Sequence, residues 1–238
     1  MIVYGKNVIK EVVINKRPIY ELYINSKMQD RFFLNFLNQN NIEYKFLDKH
    51  QLNEKSKSFD HQGVVAKVKD YKYQDLSSFL KSHSLNSNKF QKLLILDEIH
   101  DPHNFGAILR TMETMKFDGV IVSKKHQVLL NGTVAKASSG ALEYVNIFLA
   151  NNLHKTIIDL QKENIIVIGT DPTSCLTMEE VDTNRSLAVI LGNEGKGIRP
   201  LLKNKCDFLF QIPMHGRINS LNVSVAAALI MYKFQNKT

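Results

Sequence analysis

Three short stretches of the chain concentrate residues able to do chemistry, and each follows directly on an apolar run. The first is Asp97-Glu98-Ile99-His100-Asp101-Pro102-His103-Asn104-Phe105-Gly106-Ala107-Ile108-Leu109-Arg110-Thr111. A strand here passes through a polar loop into a helix that Asn104 is placed to cap, while Gly106 lets another backbone come close. Arg110 follows about one and a half turns later. It either faces the crevice at the sheet's edge or sits on the surface in an ion pair. The second stretch is Leu191-Gly192-Asn193-Glu194-Gly195-Lys196-Gly197-Ile198. A glycine-rich turn after an apolar strand is either a simple tight turn or a cradle of backbone N–H groups for a nucleotide or an adenosyl group. The third is Ile212-Pro213-Met214-His215-Gly216-Arg217-Ile218-Asn219-Ser220-Leu221-Asn222-Val223-Ser224. Its Ser220 and Asn222 stand where a helix begins, as N-caps or as ligand contacts.

Several chemistries are opposed by spacing. The glycine turn does not satisfy the phosphate-loop pattern, and it lacks the third glycine of the dinucleotide fingerprint, with Pro200 following instead. His100 and His103 flank Pro102, and no third ligand follows nearby, so no metal is expected. Cys175 and Cys206 form no Cys-x-x-Cys pair and read as two reduced thiols of a cytoplasmic protein. No 18-residue apolar run is present to span a membrane, and the N-terminus, Met1-Ile2-Val3-Tyr4-Gly5-Lys6-Asn7, lacks a secretory pattern.

The elements that must hold these stretches alternate in type. From Lys92 onward, apolar strand candidates at Leu93–Asp97, Gly119–Val122, Ile165–Gly169, Leu187–Leu191 and Phe208–Ile212 are separated by helix candidates at Phe105–Lys116, Val134–Ser139 and Leu153–Glu163. Nearly continuous apolar strands between helices predict a parallel α/β sheet covered on both faces. Ligands then belong at the strands' ends. A last helix, Asn222–Phe234, is apolar almost all round and needs cover from the domain or a partner subunit. Residues 1–70 read as a small α/β unit, with strands at Tyr20–Ile24, Tyr44–Phe46 and 62–68 and a helix at Arg31–Asn40. Residues 71–91 are polar and read as a linker with one short helix at Leu76–Lys81. The expected organisation is therefore 1–70, a linker at 71–91, and 92–238.

The chain carries a net charge of +8 over 238 residues. Residues 1–90 hold 15 Lys and Arg against 9 Asp and Glu, and residues 91–238 hold 16 against 14. The excess is concentrated at the N-terminal end, which suits contact with a polyanion. The abundance of Lys, Asn and Ile is equally what an A+T-rich genome produces.

Taken together and in order, Asn-x-Gly-x-x-x-Arg, then Gly-Asn-Glu-Gly-x-Gly, then Ile-Pro-Met with Ser-Leu-Asn-Val-Ser-Val-Ala resemble the three motifs of the SpoU/TrmH RNA 2′-O-ribose methyltransferases, from about Leu93 to Tyr232. Tyr4-Gly5-Lys6-Asn7-Val8 and His61-Gln62-Gly63-Val64-Val65-Ala66 resemble that group's substrate-binding domain, as in bacterial 23S rRNA guanosine 2′-O-methyltransferases. The resemblance implies a trefoil knot in the C-terminal domain, a homodimer through that domain, an RNA substrate and S-adenosylmethionine as methyl donor. It implies that Gly192, Ile212 and Leu221 hold the donor, with Thr170 and Met214 beside them. It assigns Arg110 to the 2′-hydroxyl and its phosphate, Asn104 and Glu194 to orienting Arg110 and the ribose, and Ser220 and Asn222 to the catalytic cleft. Many relatives begin the first motif Asp-Gly-(Val/Ile), where this chain has Asp97-Glu98-Ile99. A tRNA 2′-O-methyltransferase and a non-catalytic RNA-binding factor are the competing readings, the second separable by donor binding.

Overall fold

The computed structural model describes residues 1–84, 90–193 and 195–235. Along the chain the elements begin with β1 (Ile2–Tyr4), α1 (Lys6–Ile14), β2 (Ile19–Asn25), α2 (Arg31–Gln39), β3 (Lys45–Leu47), α3 (Lys49–Ser56) and β4 (Val64–Val68). They continue with α4 (Leu76–Ser84), β5 (Lys92–Leu96), α5 (Pro102–Thr114), β6 (Gly119–Ser123), α6 (Gly132–Ala137) and β7 (Ile147–Ala150). The chain closes with α7 (Leu153–Lys162), β8 (Ile166–Thr170), β9 (Leu187–Leu191), α8 (Pro200–Lys203), β10 (Phe208–Phe210) and α9 (Val223–Phe234). Contacts divide the chain into two compact units, Met1–Lys72 with Leu130–Tyr144, and Tyr73–Leu129 with Val145–Thr238.

The first unit is a four-stranded sheet in the order β1-β4-β2-β3, with β4 antiparallel to both neighbours and β2 parallel to β3. Two of its helices start on carboxylates. Asp30 accepts from Phe33 N at the start of α2, and Asp48 forms a capping box with Gln51 at the start of α3. The segment 130–144 closes this unit. The Tyr4 hydroxyl lies 3.2 Å from Thr133 Oγ1, and Arg17 Nη1 meets Glu143 Oε1 at 2.6 Å with both side chains largely buried. Burial pushes the Glu143 carboxyl up, and the Arg17 charge opposes that rise.

Two expectations are corrected here. The helix expected at Val134–Ser139 forms as α6, but it packs with β1 and α1 in the first unit rather than between strands of the second. The segment 71–91, expected as a linker, carries α4, whose Phe79 and Leu80 are buried in the second unit's core with Leu76 packed against them. Hydrophobic spacing within an otherwise polar stretch is enough to dock one helix face. Residues 85–89 of that segment lie outside the described residues.

The second unit is a six-stranded, wholly parallel sheet in the order β10-β8-β9-β5-β6-β7. All five residues of β5, β6 and β9 are buried, as a sheet covered on both faces requires. β7 was not expected from the sequence. The chain starts in the middle at β5, moves outward to β6 and β7, and returns on the other side with β8, β9 and β10. Connectivity therefore reverses between β5 and β9, the place where open α/β sheets bind ligands beyond the carboxyl ends of their strands.

Candidate active site

The loops leaving β8, β9 and β10 converge on one cleft of about 840 Å³. Thr170 from the end of β8, Gly192 after β9, Ile212 and Met214 after β10, and Ser220 and Leu221 before α9 all line it. All five residues expected at the donor are thus brought together, with one of the expected catalytic residues. Glu194, expected among the catalytic residues, lies outside the described residues.

The second motif folds back on itself. Asn193 and Gly197 exchange backbone hydrogen bonds of 3.1 and 2.8 Å, and Asn193 Oδ1 accepts from Gly195 N and Lys196 N. Gly192 is pressed against that turn: a Cβ there would lie 2.1 Å from the carbonyl carbon of Gly197. Only glycine fits, and its bare backbone faces the cleft. Leu191, Ile198, Ile212, Leu221 and Ala226 add apolar wall. A wall of aliphatic side chains and open backbone groups suits a flat heterocycle and its thioether-like tail.

Ion pairs tie down the loops around the cleft. Asp97, fully buried at the end of β5, receives Arg199 N at 3.0 Å, Nε at 2.8 Å and Nη2 at 2.7 Å. That fork clamps the far end of the glycine turn to β5. Glu98 beside it adopts φ +60°, the left-handed region that favours glycine. Its carbonyl accepts from Asn193 Nδ2 at 3.1 Å. The second motif therefore holds the backbone of Glu98 in this conformation. Asp171 lines the cleft and pairs with Lys203, and Thr173 donates to it from N and Oγ1 at 2.9 and 2.8 Å. Burial raises the Asp171 carboxyl, but the Lys203 and Thr173 hydrogen bonds outweigh it and hold the group below the ordinary range. Arg199, Asp171 and Lys203 were not singled out in the sequence. Asp97 directly after the apolar run 93–96 was the available signal, because a buried carboxylate demands a cationic partner.

The first motif differs in detail from expectation. Asp101, not Asn104, caps α5 by accepting from His103 N at 2.9 Å, with Pro102 in the first turn. Asn104 therefore lies inside the helix, its Oδ1 accepting from Asn222 Nδ2 at 3.0 Å. Asn222 Oδ1 in turn caps α9, accepting from Ser224 N and Ser224 Oγ. Asn222 thus caps one helix and joins it to another, and it is not among the residues that line the cleft. Arg110 is exposed on α5 and is not part of the cleft's lining. Among the described residues no group of three or more His, Cys, Asp or Glu is placed to hold a metal, and no helix is long and apolar enough to cross a membrane.

Known proteins resemble this chain in sequence and in fold. Residues 91–232 match the SpoU rRNA Methylase family, and residues 2–74 match the family of RNA 2′-O ribose methyltransferase substrate-binding domains. A protein of Staphylococcus aureus (strain MSSA476) named as a TrmH family tRNA/rRNA methyltransferase is 44% identical over 177 residues, 74% of this chain and 71% of its own length. A Bacillus subtilis (strain 168) protein of the same description is 43% identical over the same shares. Among solved structures, the SpoU methyltransferase AviRb of Streptomyces viridochromogenes, in complex with AdoMet, superposes with a TM-score of 0.81 at 21% identity, covering 98% of this chain and 88% of that one. The TrmH/SpoU tRNA modifying enzyme of A. aeolicus superposes with a TM-score of 0.56 at 25% identity, covering 67% and 82%.

Proposed function

From the chain's membership of the SpoU/TrmH family of RNA 2′-O-ribose methyltransferases, we propose that it transfers a methyl group from S-adenosylmethionine to the 2′-hydroxyl of a guanosine in 23S rRNA, in the cytoplasm. The observation that carries the reading is the convergence of Gly192, from the loop after β9, with Ile212 and Leu221, from the loop between β10 and α9, on one cleft beyond the carboxyl ends of β8, β9 and β10. The cradle at Gly192, which no Cβ can occupy, suits close contact with an adenosyl group. Thr170 and Met214 complete that wall.

The bound donor supplies an activated methyl on sulfonium. What remains for the protein is to position the acceptor and stabilise its oxygen as the proton leaves. Arg110 takes this part, gripping the target phosphate and the ribose oxygen with a planar guanidinium that keeps its own proton. Asn104 and Asn222 hold α5 against the start of α9, and Ser220 faces the ribose from the cleft wall. Glu194 belongs to the same group by its motif.

The trefoil knot and the homodimer are part of this proposal. The described surface of α9 supports a partner there: Val225, Leu229 and Tyr232 are exposed at the i, i+4, i+7 spacing, while Val223, Ala227, Ile230, Met231 and Phe234 are buried on the other face. An apolar stripe of that kind needs cover.

The test is a map of 2′-O-methyl groups on total RNA from cells with and without the gene. Loss of one guanosine methyl in 23S rRNA is the expected result. Loss at a tRNA position supports the alternative, a tRNA methyltransferase, which the tRNA/rRNA description of the relatives leaves in place. A purified protein without affinity for S-adenosylmethionine overturns both.

A further inference from the structure

Two motifs of the first unit remain outside the cleft described above, and the fold brings them together. Gly5 N donates to Val64 O at 3.2 Å, and Lys6 N donates to the side chain of Gln62 at 3.1 Å. His61, buried beneath, accepts from Gly63 N at 2.9 Å on Nδ1 and places Nε2 2.9 Å from Asn53 Oδ1. Burial lowers the pKa of that ring, with Lys49 and Lys136 pushing the same way and Asp60 opposing them. The hydrogen bonds therefore serve to shape the backbone at Gln62 and Gly63.

What they shape is a second cleft, about 720 Å³, whose walls carry Lys6, Lys27, Met28, Gln29, Lys49 and Gln62. The turn opposite is tied down too, with Lys27 N bound to Asn25 Oδ1 at 2.8 Å and Met28 N bound to Asn25 O at 2.9 Å. Gly63 at φ +77° keeps the floor flush, since a Cβ there would lie 2.9 Å from Met28 Cε. The two carboxylates in the walls are occupied at home: Asp30 caps α2 and holds Lys6 Nζ at 2.7 Å, and Asp48 caps α3. Lys27 and Lys49 stand exposed on the two sides. The nearby chain also presents bare aromatic rings, Phe32 at 89% exposure two residues after Asp30 and Phe59 at 86% three residues before Gln62. Rings so open suit stacking of bases.

We propose that this cleft binds one unpaired nucleotide of the RNA substrate, with its phosphate on Lys27 and Lys49 and its base seated beside Met28, Gln29 and Gln62. The inference rests on the RNA-methyltransferase reading and adds to it the chemical form of RNA that the first unit selects. A concave site of this size accepts an unstacked base, whereas a duplex presents its phosphates on a convex surface with its bases hidden. Side-chain amides at the wall can read the edge of such a base, and lysines hold the backbone as point charges.

The experiment uses the full chain and a fluorescein-labelled single-stranded RNA of mixed sequence, about a dozen nucleotides long, beside a duplex of the same sequence. Anisotropy titrations compare the parent with Lys27→Ala/Lys49→Ala and with a charge-matched control, Lys155→Ala/Lys162→Ala on α7. In the cleft variant, single-strand affinity is expected to fall roughly tenfold near 0.1 M salt, and the slope of log affinity against log salt to flatten by about 1.4, for two lost phosphate contacts. The duplex and the control are expected to change less than about twofold. Ultraviolet crosslinking of the parent to the single strand should mark residues 25–32 or 57–63. The inference is overturned by unchanged single-strand affinity, by equal loss in the control, by equal loss for the duplex, or by crosslinks confined elsewhere. Affinity for S-adenosylmethionine and methyl transfer to ribosomal RNA are measured in parallel. Intact donor binding and transfer with no effect here sinks the cleft alone, whereas loss of single-strand affinity in a protein that binds no donor sinks the methyltransferase reading alone.

Discussion

Arg110 stands six residues after Asn104 on α5, exposed and clear of the cleft's lining, while the proposed donor contacts come from other loops. A group that serves only the acceptor acts on turnover rather than on donor affinity. Arg110→Ala is therefore expected to lower single-turnover methylation by about 10²–10³ with donor affinity nearly unchanged, and Arg110→Lys to recover little of it. Near-parent turnover in Arg110→Ala would make it an ordinary surface residue. Lys92 offers a second residue-scale test, unrelated to the cleft. It is buried at the start of β5, its ammonium donating to Thr183 O at 2.5 Å and Arg185 O at 2.8 Å. Burial lowers its pKa from 10.5 to about 8, against the opposing pull of Asp118 and Asp182. The unfolded chain holds that proton up to about 10.4. Between the two values the unfolded state binds more protons, so this group makes stability rise with pH. In thermal unfolding from pH 8 to pH 10, the melting temperature of the parent minus that of Lys92→Met should grow. A flat or falling difference would mean the ammonium is not desolvated.

At the scale of elements, the glycine turn after β9 permits the sharpest substitution. Gly192→Ala drives a methyl into the backbone of Gly197, so the turn must open. Overpacking of this kind costs about 1–3 kcal/mol, and donor binding should be lost with it. Gly216→Ala, at a site with nothing within 4 Å of the added carbon, should leave stability and donor affinity near the parent's. Calorimetry on both variants decides the matter, and a Gly192→Ala protein that binds the donor normally removes the turn from the site. That turn was legible in the sequence because its glycines, order and spacing are local. The same holds for β5, β6, β8 and β9, whose buried runs need no knowledge of their neighbours. What escaped lacked a local signature. β1 is three residues long, and β7 only four. Helix α1 is rich in β-branched Val and Ile, which blurs the distinction from a strand. Helix α3 buries only Leu52 and Ser56, too little for an amphipathic stripe. The ion pairs Asp97–Arg199 and Asp171–Lys203 join residues 102 and 32 positions apart, and nothing in either neighbourhood announces the other.

For the whole molecule, the division into units changes what a truncation removes. Tyr73–Leu129 and Val145–Thr238 carry the entire donor cleft, while the first unit holds 14 Lys and Arg against 9 Asp and Glu. Sequence alone suggests that deleting residues 1–70 isolates the catalytic part. The structure argues otherwise, because residues 130–144 lie between β6 and β7 in the chain yet belong to the first unit. There they bury Val134, Ala135, Ala141 and Leu142, and Glu143 meets Arg17. Deleting 1–72 alone strips those side chains of their cover and leaves an apolar patch prone to association. Replacing 130–144 at the same time with about eight Gly and Ser residues, reaching at most roughly 26 Å, removes that patch and still lets β6 pass to the start of β7. The doubly excised protein is expected to stay soluble and bind S-adenosylmethionine within about twofold of the full chain, while its RNA affinity falls and loses most of its salt dependence. The protein lacking only 1–72 should aggregate or melt at lower temperature. Static light scattering, thermal unfolding and calorimetry on the two proteins separate these outcomes. If the simple truncation proves as soluble and as stable as the double excision, segment 130–144 does not belong to the first unit. If the folded double excision binds no donor, the cleft needs more than the second unit supplies.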